Sequence, residues 1–271
     1  MRKQLPLGLV LEGSSSRSAV LRLPGLAREL GPIKSSAMRL ARRFSNLMQG
    51  GYPVAGYEEL QPARLVLIHV PDSSVSRVVD ELCASDLSLK RICFVLCETW
   101  LGTEVLAPLQ ERGACVATLI HLPTTERNIF VVEGQNIACR LTRRLIEQHD
   151  GRVFELKLGS KHSLYAAELL STVLAMPLFA AAQQSLRAAG MSGNQLAALL
   201  ESVAQKMTRE VIKGVRLPVS SLPPDYDSEL GSKFLAALRE TQPAVAALIE
   251  FERSASAKLV SDAWKNATDG D

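Results

Sequence analysis

Leu7–Ser16, with the sequence LGLVLEGSSS, predicts a buried strand, a tight turn at Gly13 and a helix that begins near Arg17. In a strand–turn–helix unit that binds a dinucleotide, the pattern G-x-G-x-x-G occupies this turn. Its first glycine makes the bend, its second lets the diphosphate approach the backbone, and its third lets helix pack on strand. Leu11, Gly13 and Ser16 occupy those positions here, so only the glycine needed for phosphate approach is present. The segment therefore predicts a nucleotide-binding fold more firmly than a working dehydrogenase.

The composition is that of a globular protein. The chain has 271 residues, of which 47% are hydrophobic and 22% charged, which is enough for a large core and favours two domains over one. The net charge of +3 is too small and too evenly spread to indicate nucleic-acid binding. No apolar run reaches the roughly 18 residues of a membrane span. The apolar run near the N-terminus is short and leads into the glycine turn, which favours a strand over a signal peptide.

The cysteines point to a reducing compartment. Their number is odd, none forms a C-x-x-C pair, and no His or Cys cluster has the spacing of metal ligands (Cys83, Cys93, Cys97, Cys115 and Cys139). We therefore expect free, buried thiols in a cytoplasmic protein, and no metal site.

In the first half of the chain, short apolar runs alternate with helical patterns. The predicted strands are Leu7–Leu11, Ile33–Ser36, Pro53–Gly56, Leu65–Val70, Ile92–Cys97, Val116–His121, Ile129–Val132 and Val153–Lys157. The predicted helices are Ser18–Leu30, Met38–Met48, Ser73–Cys83, Glu104–Arg112 and Ile137–Gln148. This alternation predicts an α/β fold with a doubly wound parallel sheet.

After Gly159 the strand signals disappear, and leucine and alanine recur at helical spacing. We expect one long helix from Lys161 to about Ala189, bent at Pro177. Further helices are predicted at Ser192–Lys213, Ser228–Arg239 and Ala244–Ser261, with a proline-rich loop before the second of these. A helix that is apolar on most faces is buried in a bundle or against another subunit. Small residues that permit close approach favour a homodimer (Ala166, Ala167, Ala180, Ala181 and Ala182).

Three motifs occur in a fixed order along the chain. Val70-Pro71-Asp72 follows the fourth strand, His121-Leu122-Pro123 precedes Phe130–Gly134 (FVVEG), and Lys161–Ala167 (KHSLYAA) opens the long helix. Together they resemble the Rossmann-like oxidoreductases of the pyrroline-5-carboxylate reductase and 6-phosphogluconate dehydrogenase superfamily, and within it a poorly characterised group. The resemblance covers nearly the whole chain.

This resemblance implies a Rossmann-like dinucleotide-binding domain at 1–158 and a helical dimerisation and substrate domain at 159–271. In the superfamily, a lysine and an asparagine on the long helix polarise the substrate during hydride transfer. Lys161 matches the lysine, but no asparagine follows on its face. The chain also departs from the group's pattern at Leu164-Tyr165, where tyrosine and histidine are usual, and at Ser171-Thr172, which replaces Ser-Asn.

A phosphate site is one interpretation of the glycine turn. Backbone N–H groups at a helix start bind anions, and the hydroxyls of Ser14, Ser15 and Ser16 add donors to those of the Gly13 turn. The carboxylate of Glu12 would repel a bound diphosphate, and the positive charge of Arg17 could offset this repulsion. The alternative is a strand–helix turn that binds nothing.

The end of the second strand favours NADP over NAD. An NAD site needs an acid about 20 residues after the glycine turn, and the chain offers none there. Ser36 ends the strand, and Arg39, Arg42 and Arg43 follow on one helix face, a chemistry that suits a 2′-phosphate. The alternative is a solvated basic face. Val70 and Pro71, after the fourth strand, are further candidate cofactor contacts.

Lys161, His121 and Tyr165 are the candidate catalytic residues. His121 ends a predicted strand at the edge where open α/β sheets bind ligands, and it can exchange a proton near neutral pH. Tyr165 lies one turn beyond Lys161 and can donate a proton, although it is as well suited to a core position. His69 fits a core or rim histidine better than a catalytic one, and His162 fits an exposed position.

Two functions remain open at this point. One is an NADP-dependent oxidoreductase that reduces a small carbonyl or imine, with hydride delivered between the two domains. The other is a non-catalytic Rossmann-derived nucleotide-binding or scaffold protein. The missing glycines favour the second function, whereas Gly13 and the basic patch favour the first.

Overall fold

The computed structural model describes residues 7–13, 18–124, 128–212 and 229–252. The chain divides into two compact units, Met1–Ala166 and Ala167–Asp271. The boundary falls inside the helix that begins at Lys161.

The first unit is built on an eight-stranded sheet. Its strands are β1 (Leu7–Leu11), β2 (Leu30–Ser35), β3 (Tyr52–Val54), β4 (Leu65–His69), β5 (Cys93–Cys97), β6 (Cys115–Leu122), β7 (Ile129–Gly134) and β8 (Arg152–Glu155). They lie in the order β3-β2-β1-β4-β5-β6-β7-β8. All neighbours are parallel except β6 and β7, which pair antiparallel. The predicted α/β sheet with a helical second half is confirmed, with this one antiparallel pair as a difference in detail.

Helices cover both faces of the sheet. The α-helices of this region are α1 (Met38–Met48), α2 (Val75–Ala84), α3 (Ala107–Glu111) and α4 (Asn136–Gln148). Strands β1, β4 and β5 are apolar along almost their whole length, as strands buried on both faces must be. Two apolar cores result, one on each face, and alternate residues of each strand point into one or the other.

The predicted helix Ser18–Leu30 is wrong. The chain instead forms two short 3₁₀ turns, Val20–Arg22 and Leu26–Arg28, and then enters β2 at Leu30. Pro24 lacks an N–H for the helical ladder, and Gly25 adopts a left-handed φ of 79°. Both residues interrupt the helix that the apolar spacing predicts.

The predicted single helix from Lys161 to Ala189 is also wrong. It is two helices, α5 (Lys161–Ser171) and α6 (Met176–Ala188), separated by turn residues. Pro177 does not bend a helix, because it lies in the first turn of α6, where its missing N–H costs nothing.

The remaining described helices are α7 (Gly193–Ile212), α8 (Glu229–Thr241) and a helical stretch at 243–252. The proline-rich loop before α8 lies outside the described residues. By length and composition alone, Lys161–Ala188 is apolar enough to cross a membrane, in contrast to the expectation from apolar runs. This criterion is weak, because core helices of globular proteins also satisfy it.

All five cysteines are free, and Cys93, Cys97 and Cys139 are buried. Burial raises the pKa of the Cys93 thiol to about 12 and that of Cys139 to about 11. A thiol with so high a pKa carries almost no thiolate at neutral pH, so these side chains act as small apolar residues. No group of three or more His, Cys, Asp or Glu side chains within the described ranges is arranged to hold a metal ion.

Candidate functional site

The carboxyl ends of the central strands meet at one edge of the sheet. Glu12 follows β1, His69 ends β4, and Glu98 follows β5. The chain leaves β1 toward β2 on one side and returns at β4 on the other, so the strand order reverses between β1 and β4. Open α/β sheets bind ligands outside the carboxyl ends of strands at such a reversal.

Gly13 adopts the left-handed backbone conformation that favours glycine. Gly13 has a left-handed φ of 66°, and among the described residues a Cβ added there would meet only the Pro71 ring, at 3.8 Å. The backbone is therefore open to a ligand on that side. Val70 is buried in the core, whereas Pro71 is exposed beside Gly13. The hypotheses for Ser14, Ser15, Ser16 and Arg17 concern positions outside the described residues.

A protein carboxylate binds backbone amides of the first residues that the structure describes after this turn. Oε1 of Glu98 accepts the backbone N–H groups of Ala19 at 3.0 Å and Val20 at 3.4 Å, together with the Ser18 hydroxyl at 3.3 Å. Glu98 has a left-handed φ of 57°. The helix whose amino end was expected to face a phosphate is thus absent, and its place is taken by a short turn capped from β5. No local sequence signal marks Glu98.

Glu12 is neutralised by a residue that the sequence did not indicate. Both of its carboxylate oxygens accept hydrogen bonds from Arg77 of α2 at 2.6 Å. Arg77 also bonds Glu81 at 2.7 Å, and Glu81 accepts the Tyr57 hydroxyl at 2.8 Å. This network removes much of the repulsion that Glu12 would exert on a bound phosphate.

The end of β2 offers donors and positive charge. The Ser35 side chain is buried, and its hydroxyl has no hydrogen-bond partner among the described residues. Ser36 and Arg39 are exposed just beyond it. Arg39, Arg42 and Arg43 line a depression of about 740 Å³ on α1. Three arginines on the helix that follows an unpartnered hydroxyl are a chemistry that suits a phosphate ester.

Lys161 lines a cavity of about 370 Å³ within the first unit. The residue is only 6% exposed, and its Nζ donates to the backbone carbonyls of Thr99 at 2.8 Å and Leu101 at 2.6 Å. Burial lowers the pKa of Lys161 from 10.5 to about 8, while Glu133 and Glu104 act in the opposite direction. Lys161 can therefore exchange a proton near neutral pH.

Aromatic residues, two glutamates and two glycines complete the cavity lining (Trp100, Gly102, Glu104, Glu133, Gly159, His162 and Tyr165). The rings of Trp100 and Tyr165 meet edge to face at a centroid distance of 5.2 Å. Two predicted catalytic residues, Lys161 and Tyr165, thus share one cavity. His162 lines it too and is exposed.

The two strand histidines lie elsewhere. His121 is on β6, half-buried against the ring of Phe130, and does not line this cavity. His69 is half-buried at the end of β4, and burial lowers its pKa. Its Nδ1 has no partner within the described part of the chain.

Comparison with solved structures gives many matches. A "putative NADP oxidoreductase" from Bacteroides fragilis matches with a TM-score of 0.68 at 15% identity, covering 93% of this chain and 97% of that one. An imine reductase from Myxococcus stipitatus in complex with NADP⁺ matches with a TM-score of 0.61 at 15% identity, over 93% and 94% of the two chains. A pyrroline-5-carboxylate reductase from Coxiella burnetii matches with a TM-score of 0.56 at 12% identity, over 90% and 96%.

No protein-family profile and no curated protein sequence matches the chain. At these identities the structural matches establish the fold and nothing finer. The resemblance drawn from the sequence motifs is confirmed at that level: this chain has the Rossmann-plus-helical fold of NADP-linked oxidoreductases.

Proposed function

We propose that the protein is an NADP-dependent reductase that acts on a small carbonyl or imine substrate. The observation that carries this proposal is Lys161, a buried lysine that lines a cavity at the carboxyl edge of the sheet and titrates near neutral pH. Solved proteins of this fold include an imine reductase with NADP⁺ bound, which supports the choice of cofactor and reaction class.

The described residues fit NADP at two points. Gly13 supplies an open left-handed turn for the diphosphate, and Ser35, Ser36, Arg39 and Arg42 supply donors for the 2′-phosphate. The cofactor, when bound, supplies hydride. Lys161 polarises the substrate and donates a proton to it, and Tyr165, one turn further along α5, lies in the same cavity as a second proton donor.

Replacing both Arg39 and Arg42 by alanine is expected to weaken NADPH binding by about 10- to 100-fold, because each arginine supplies a charge-assisted phosphate contact. NADH, which lacks the 2′-phosphate, is expected to lose no more than about threefold. The measurement is titration calorimetry of both nucleotides. Arg144→Ala on α4, also an exposed arginine, is the matched control. Equal losses for NADH and NADPH would overturn the assignment.

A non-catalytic nucleotide-binding or scaffold protein is the second candidate. It is favoured by the carboxylate of Glu98, which binds the backbone amides of Ala19 and Val20, and by the loss of two of the three glycines. NADPH binding without turnover of any carbonyl or imine would select this candidate. Failure to bind NADPH at millimolar concentration would remove the reductase.

We also propose that the protein is a cytoplasmic homodimer assembled through the second unit. Among the described residues of 167–271, the buried apolar side chains are Leu196, Leu235, Val245 and Ala246. Large apolar side chains on α6 and α7 are exposed, Met176, Phe179, Val203 and Met207 among them. So small a core among the described residues leaves the apolar side chains of α6 and α7 exposed, and a second copy of the same surface would cover them.

Light scattering is expected to return twice the chain mass of 29.4 kDa. Phe179→Glu is expected to shift the protein toward monomer, because it places a charge on the exposed apolar surface of α6. Leu47→Glu, on the exposed side of α1 in the first unit, is the control and is expected to remain dimeric. A wild-type monomer would contradict the proposal, and recovery only with detergent would indicate a membrane instead.

A further inference from the structure

Glu133 is a buried carboxylate that the sequence motifs did not single out as functional. It lies near the end of β7, opposite Thr118 of β6, and is only 1% exposed. A buried charge is costly unless its oxygens are hydrogen-bonded or paired. The contacts of Glu133 therefore indicate the role of this carboxylate.

One oxygen of Glu133 holds the start of α5. Oε1 accepts the backbone N–H groups of Gly159 and, at 3.1 Å, Ser160. The Ser160 carbonyl in turn accepts the N–H groups of Ser163 and Leu164, which opens the helix. Gly159 has a left-handed φ of 79°, so the chain turns sharply into α5 at the point that Glu133 binds. Lys161 is the first residue after this anchor.

The other oxygen has no such partner. Oε2 of Glu133 is buried and accepts no hydrogen bond from any described residue. Glu133 and Lys161 both line the same cavity, and their charges interact. Nζ of Lys161 donates to two neutral carbonyls, so the negative charge that stabilises its ammonium form acts through space.

Several titratable groups act on Lys161. Glu133 is the largest favourable charge, followed by Glu104 and Asp72. Cys97 also lies near Lys161, but burial raises the pKa of its thiol, so it is uncharged near neutral pH. Glu104 is exposed at the cavity lining, and Asp72 accepts the Thr99 hydroxyl at 2.7 Å. His162 and Tyr165 line the same cavity. Glu133 is the carboxylate among them that is both buried and bonded to the turn carrying Lys161.

We propose that Glu133 is a positioning residue: it anchors the first turn of α5 and keeps Lys161 in its ammonium form inside the cavity. With the charge of Glu133 in place, Lys161 is a proton donor near neutral pH. Without it, a larger share of Lys161 is the neutral amine under the same conditions. The role of Lys161 as a proton donor to a substrate rests on the proposed reductase function. The effect of Glu133 on the protonation of Lys161 does not depend on that function.

The test measures how readily Lys161 is acetylated across a pH series, by mass spectrometry of the full-length protein, with exposed Lys157 as the internal standard. Only the neutral amine reacts. Glu133→Gln keeps the shape and an acceptor for the two amides but removes the charge. Lys161 is expected to react faster in this variant because the pKa of its amine falls when the favourable charge is removed. Well below pH 7 the expected increase is about tenfold for a fall of about one pKa unit.

Glu104→Gln is the matched control, because it removes an exposed carboxylate from the same cavity, and its effect is expected to be smaller. An unchanged Lys161 profile in Glu133→Gln would overturn the proposal, as would a larger shift in Glu104→Gln. If Glu133→Gln does not fold, Glu133→Asp decides instead, since its shorter side chain draws the carboxylate back from the Gly159 and Ser160 amides. Faster acetylation of Lys161 than in the wild type supports the proposal, and an unchanged profile contradicts it. The acetylation test needs neither nucleotide nor substrate. Its result is therefore independent of whether the protein proves to be a reductase.

Discussion

Replacing Lys161 by methionine is expected to lower turnover by about 10²- to 10⁴-fold, the range for loss of a proton donor. Methionine preserves the length and apolar stem of the side chain, but it supplies neither a proton nor a bond to the Thr99 and Leu101 carbonyls. The measurement is NADPH oxidation with small aldehydes and ketones, in the presence and absence of amines. Lys157→Met, an exposed lysine shortly before α5, is the control.

The pH dependence gives this prediction a second readout. The pKa of Lys161 in the folded protein is about 8, lowered by burial from 10.5. The ammonium form, which donates the proton, therefore predominates below pH 8 and is lost above it. Reduction is expected to fall about tenfold for each pH unit above 8. A rate that rises through this interval would mean that Lys161 acts as a base or not at all.

The largest expected effect on stability is that of Leu67→Ala. Leu67 is 0% exposed on β4 at the centre of the sheet, with Leu9 and Val95 as its neighbours on the adjacent strands. Removing its buried methyl and methylene groups leaves a cavity that the rigid strands cannot close. The expected loss in the free energy of unfolding is about 2–5 kcal/mol.

Chemical denaturation measures this loss at a fixed protein concentration, since dimerisation would also shift the midpoint. Leu47→Ala removes the same atoms from a residue that is 65% exposed, and we expect a change within about 0.5 kcal/mol. Similar losses for both variants would mean that the sheet is not the stabilising core of the first unit.

The strands were predicted well from the apolar runs in the sequence. The apolar runs at Leu7–Leu11 and Leu65–Val70 were predicted as strands, and they form the adjacent parallel strands β1 and β4, the second of which ends at His69. A strand that is apolar on both faces is stable where both faces of the sheet are covered. The helix expected at Ser18–Leu30 failed because Pro24 and Gly25 outweigh an apolar spacing that by itself favours a helix. In α6, the proline was identified but its role was misjudged, because a proline suits a first turn as readily as it bends an interior.

The candidate site was only partly visible in the sequence. Lys161 and Tyr165 were selected from one motif and line one cavity, whereas His121, chosen for its place at a strand end, lies outside that lining. Glu98, Arg77 and Glu133 were missed as functional residues. A single acidic or basic residue in an α/β protein has no local signature when its partner lies far away in the chain.

The sequence by itself determined the layering of strands and helices and the change to an all-helical second half, because apolar periodicity is a local property that each segment carries with it. Only the tertiary structure decided which charges meet. Glu98 reaches Ser18 across 80 positions and Arg77 reaches Glu12 across 65, and both contacts depend on strand order and register. The pKa of Lys161 also depends on the tertiary structure. Folding buries its ammonium group away from water, and this burial lowers the pKa to about 8.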